Sequence, residues 1–136
     1  MALAVLMPIV ASMGGNAGTQ SLAVAVRAIA ARDLNISNSI RVVWRELIAG
    51  ALNGLIFAAI MAVVAALWYR DIILSCVIAA SMLITLACAG LAGILIPLGL
   101  RRIGADPAVA SSVFVTTVTD VVGFFIFLGL GSVFLL

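Results

Sequence analysis

IILSCVIAASMLITLACAGLAGILIPLGL, residues 72–100, runs for 29 positions without one charged side chain. As an α-helix it would be about 43 Å long, more than the roughly 30 Å hydrocarbon core of a bilayer. Comparable runs lie on both sides of it, and the predicted spans cover residues 1–27, 39–69, 72–100 and 107–135. Apolar residues make up 66% of the 136 and charged residues 9%, too few to coat a water-facing surface, so the lipid bilayer is the solvent. Strict alternation of apolar and polar residues is missing, which excludes a barrel. The fold class is therefore all-α, a polytopic transmembrane helical bundle with four spans, and residues 1–136 form one transmembrane domain. The longest polar stretch, residues 27–46, is too short for a separate domain outside the membrane.

The positive charges orient the bundle. All seven are arginines. Arg27, Arg32, Arg41 and Arg45 belong to the first connection and Arg101 and Arg102 to the third, while Arg70 is alone in the second. First and third connections share a side, and the positive-inside bias makes that side cytoplasmic. Both termini then face outward. Residues 1–12 carry no charge and no signal-peptide features, so an upstream span is expected in the full protein. Trp68 and Tyr69, directly before Arg70, read as an aromatic interface anchor. A second helix is expected to start near Ser37 to Ser39, where short polar side chains can cap it. Cys76 and Cys88 are about 18 Å apart on one helix, too far for a disulfide. A net charge of +2 without lysine or histidine gives no support for a nucleic-acid partner.

Two stretches break the apolar pattern. PIVASMGGNAGTQ, residues 8–20, places Gly14, Gly15, Asn16, Thr19 and Gln20 inside the first span. No Gly-Lys-Ser/Thr follows, so it is not a phosphate loop. Gly14 and Gly15 are expected to break or thin the helix, freeing carbonyls to line a cavity, with Asn16, Thr19 and Gln20 on the same wall. The pairs Gly14/Gly18 and Gly50/Gly54 also permit close helix approach.

The last span, opened by Asp106 and Pro107, carries Ser112, Thr116, Thr119, Asp120 and Gly123, whose steps of four, three and four suggest one narrow polar face. Asp120 lies near the middle of the bilayer, where a carboxylate costs roughly 2.5–3.5 kcal/mol. No basic residue lies deep in a span to neutralise it, which points to a cation. One carboxylate balances a divalent ion poorly, and two related by a twofold axis would do better, which argues for a homodimer. Hydroxyls and amides suit a hard cation, and Mg²⁺ keeps its waters and so can be held by sparse polar groups.

PIVASMGGNAGTQSLAVAVRAIA (residues 8–30) and GADPAVASSVFVTTVTDVVGFFIFLGLG (residues 104–131) resemble the transmembrane domain of the MgtE-type magnesium transporter family. The resemblance extends over essentially the whole chain. It implies a homodimeric Mg²⁺-selective channel in the inner or plasma membrane, without enzymatic activity, whose pore is lined by the family's second and fifth helices. The spans here would be helices two to five. Asp120 matches the family's central pore aspartate and metal site, Thr116 and Ser112 its ion path, and Gly14, Gly15 and Asn16 its signature; Thr119 joins the expected pore lining. Cytoplasmic regulatory domains are expected in the full-length protein. Two other functions fit an intramembrane acid: a proton-coupled secondary cation transporter with Asp120 as proton carrier, or a non-conducting assembly subunit.

Overall fold

A computed structural model describes residues 2–31 and 38–136, without the side chains of 109 and 110. Four helices follow in order: α1 (Ala2–Ala30), α2 (Ser39–Tyr69), α3 (Ile72–Arg102) and α4 (Pro107–Phe134). All four are long and apolar enough to cross a membrane. They match the predicted spans to within a few residues. Arg32 and Ser37 lie outside the described residues.

The helix ends follow local chemistry. Asp106 accepts a hydrogen bond from the Ala108 amide at 3.0 Å, and Pro107 takes the first helical position. Asp71 caps α3 in the same way, accepting from the Leu74 amide at 3.1 Å. Asn38 sits at the cap position of α2 without a side-chain capping bond. Between α2 and α3 the chain reverses through Arg70, which adopts φ 53°, ψ 36° and returns its amide to the Ala66 carbonyl. Gly104, at φ 84°, reverses the chain after α3 in the left-handed region glycine tolerates.

Small residues set how the helices meet. A Cβ built on Gly50 would stand 2.6 Å from the Leu86 carbonyl oxygen, and one on Gly90 would stand 2.6 Å from that of Glu46. Thus α2 runs antiparallel to α3 with their backbones almost touching. Gly14 faces Thr85 and Gly93 faces Ser21, a nearly constant offset that makes α1 and α3 parallel. Against α4, Ala11 faces Gly123, Gly14 faces Thr119 and Gly18 faces Val115, an antiparallel zip. Helix α3 is the hub, packed against all three others, while α1 and α2 barely touch. Leu6, Val10, Leu74, Val77, Ile78, Met82 and Phe127 form the core toward the Arg70 end.

Leu55, Ile56, Ile60, Val63 and Leu67 of α2 stay exposed as a lipid-facing surface, and Trp68 stands out at its end. Cys76 and Cys88 are free thiols. The alternation of helices puts Arg27, Arg41, Arg45, Arg101 and Arg102 at one end of the bundle and Arg70 at the other.

The expected break in the first helix does not occur. Helix α1 runs uninterrupted through Gly14 and Gly15. In lipid a freed carbonyl finds no water, so the roughly 1 kcal/mol cost of each helical glycine is easier to bear than a broken ladder. Gly14 is buried beneath Thr85 and Thr119; its missing side chain serves packing.

Candidate functional site

The polar residues of α4 fall on two neighbouring rows rather than one face. Ser111, Val115, Thr119, Gly123 and Phe127 are buried against α1 and α3. One position further along, Ser112 and Thr116 are exposed and Asp120 is half-buried. A four-residue step drifts by about 40°, whereas the three-residue step from Thr116 to Thr119 rotates about 60° the other way. The 4-3-4 spacing in the sequence therefore merged two surfaces.

Thr119 belongs to the buried seam, 2% exposed, with its hydroxyl donating to the Thr116 carbonyl at 3.0 Å. Of the seven residues expected to line the pore or hold the metal, Gly14 and Thr119 lie inside the protomer. Asn16, Ser112 and Thr116 are on its outer surface, and Gly15 and Asp120 are half-buried at the edge. Thr119 therefore does not share the face of Ser112 and Thr116, nor Gly14 that of Asn16.

The exposed row is chemically consistent. Thr116 donates its hydroxyl to the Ser112 carbonyl at 2.7 Å, so the oxygen's lone pairs remain as acceptors. On α1, Thr19 does the same to the Gly15 carbonyl at 2.7 Å, next to exposed Asn16 and Gln20. Asp120 lies at the middle of the 28-residue α4, about 20 Å from its start. Among the described residues its carboxylate has neither hydrogen bond nor ion pair. A carboxylate and hydroxyl oxygens facing outward at mid-membrane can accept, and offer a cation oxygen ligands directly or through its waters. No cluster of three or more histidine, cysteine or acidic residues exists among the described residues, so a thiolate- or imidazole-rich metal centre is not formed there.

A second polar region is one that the sequence pattern does not single out. Glu46, seven residues into α2, is half-buried beside Ser21 of α1, whose hydroxyl lies 3.1 Å from its Oε2 and 2.9 Å from the Gly90 carbonyl. The clue was available: Glu46 and Asn53 are seven apart, hence on one helix face, with Gly50 between them. Adjacent Arg41 and Arg45 place Glu46 in sequence within the polar connection.

A family model described as MgtE, divalent cation transporter, matches residues 7–130. The magnesium transporter MgtE of Enterococcus faecalis is 39% identical over 133 residues, 98% of this chain and 29% of the relative. That of Thermus thermophilus is 36% identical over 134 residues, 98% and 30%. That of Bacillus subtilis is 34% identical over 135 residues, 99% and 30%. This chain thus spans about three-tenths of the length of the curated relatives it matches. With four helices that can cross a membrane and a family match over nearly their whole extent, the chain belongs to the MgtE divalent cation transporter family.

Proposed function

We propose that this chain is the ion-conducting part of a Mg²⁺ transporter, with the ion passing along the outer face formed by Asn16 of α1 and Ser112, Thr116 and Asp120 of α4. The observation that carries this reading is the Ser112–Thr116–Asp120 row itself. It leaves a carboxylate with no hydrogen-bond or ion-pair partner among the described residues, and two hydroxyls, on the outer side of a membrane-length helix. Lipid cannot solvate that row, so a second copy related by a twofold axis covers it and encloses water between the two. Two Asp120 carboxylates then face one another and balance a divalent ion.

Mg²⁺ fits because it keeps most of its inner waters, which bridge to Asp120, Thr116 and Ser112 without a dedicated cage. The arginine-bearing end is cytoplasmic in this arrangement, and regulatory domains belong to the remainder of the full-length protein. Asp120→Asn tests the reading. It keeps shape and hydrogen bonding but removes both charges from a low-dielectric midplane, where a unit pair at 4 Å interacts by about 4 kcal/mol at an effective dielectric of 20. Mg²⁺ flux into liposomes carrying the full-length variant should fall at least about tenfold, with the dimer intact. Wild-type flux at equal reconstitution would refute it, and loss of pH coupling alone would favour a proton carrier.

A further inference from the structure

Helices α1 and α2 diverge over α3 and leave a cleft of about 210 Å³ between them. Its lining includes Gln20, Ser21 and Val24 from α1, and Glu46, Gly50 and Asn53 from α2. The cleft faces away from the α1–α4 contact and begins near the arginine-bearing end, where Glu46 lies.

Among the described residues Glu46 is incompletely satisfied. The Ser21 hydroxyl has one proton and two acceptors in reach, the Gly90 carbonyl at 2.9 Å and Glu46 Oε2 at 3.1 Å. It therefore serves the carboxylate at most in part. An ionised carboxylate offers about four lone-pair sites, and Ser21 is its sole hydrogen-bond partner among the described residues. The unmet acceptors belong to a residue that lines a cleft also carrying the amides of Gln20 and Asn53. At about 30 Å³ per water, the space holds roughly seven waters, or one ion with its six inner-shell waters.

We propose that this cleft holds a hydrated divalent cation, bound by Glu46 with Gln20 and Asn53, at a site separate from the Asp120 row. The choice of a divalent cation rests on the transport reading; the cleft and its unmet acceptors do not. With one carboxylate against a doubly charged ion the site is weak, in the roughly 0.1–1 mM range of sparsely charged oxygen sites. It would load ions at the membrane edge, beside helix α1.

The test uses the full-length protein with Cys76 and Cys88 replaced by alanine and a fluorine-19 label on Val24→Cys, at the cleft. Paramagnetic Mn²⁺ stands in for Mg²⁺. Saturable broadening of the label, reversed by excess Mg²⁺, is expected, and it should persist in Asp120→Asn. Glu46→Gln still hydrogen-bonds Ser21, so packing survives while the apparent affinity weakens by about tenfold or more. If that variant fails to assemble, Asn53→Leu replaces it and should weaken binding several-fold. No broadening up to roughly 10 mM Mn²⁺ would overturn the proposal and assign the cleft to a covering helix. So would unchanged affinity in Glu46→Gln or Asn53→Leu, or loss of the effect in Asp120→Asn, which would place the sensed ion on the other row. Retained cleft binding alongside unimpaired flux in Asp120→Asn would sink the transport path and leave the cleft site standing.

Discussion

Two rows one residue apart on α4 use the same side chains for opposite ends. Ser111 and Thr119 are buried in the seam against α1 and α3, whereas Ser112 and Thr116 face outward beside Asp120. In the seam a small side chain matters for what it lets approach: Thr119 packs over Gly14 and beside Gly18. In the outer row the oxygen matters for what it can still accept. Residue type alone does not separate a packed hydroxyl from an outward-facing one in a membrane helix; rotation about the helix axis does.

The comparison is broken most decisively at the glycines. A Cβ on Gly14 would stand 2.7 Å from the Thr85 methyl, a stiff β-branched group that is itself buried. Gly14→Ala should therefore cost about 1–3 kcal/mol of stability. Next to it, a Cβ on Gly15 meets nothing closer than the Thr119 hydroxyl at 3.9 Å. Gly15→Ala should stabilise α1 by up to about 1 kcal/mol through helix propensity. Denaturation of both variants in detergent reads the two signs, and equal effects would mean that α1 is rotated from its described position.

The hydroxyls sharpen the comparison with a smaller effect. Thr116→Val should lower Mg²⁺ flux by roughly fivefold, about 1 kcal/mol for a lost water-bridging acceptor, with stability unchanged. Thr119→Val should do the reverse, costing about 0.5–1.5 kcal/mol of stability while flux is kept. Flux and unfolding measured on both variants decide between the rows. Exchanged phenotypes would put Thr119 on the ion path.

The smallest effect lies far from either row. Arg70 holds a left-handed conformation that disfavours a side chain by roughly 1–2 kcal/mol. Arg70→Gly relieves part of this, and a gain of about 0.5–1 kcal/mol in detergent stability is expected with flux unaltered. A loss instead would show that the Arg70 side chain stabilises the α2–α3 turn.

Much of the molecule is legible in the sequence. Four spans, the cap at Asp106, the arginine-rich end and the lone mid-span acid Asp120 all follow from residues 1–136 read in order, whereas the cap at Asp71 emerges only in the structure. Lipid demands runs of a set length, and a polar side chain caps the turn beside it. These are local, additive requirements. The tertiary structure decided the rest: that Gly14 is a contact and not a break, that Thr119 turns inward while Thr116 turns out, and that Glu46 and Gln20 border one cleft. Each depends on how far a helix is rotated about its axis. Successive residues differ by about 100°, so packing against α3, and not the spacing of polar residues, chooses which row faces a neighbouring helix and which faces outward.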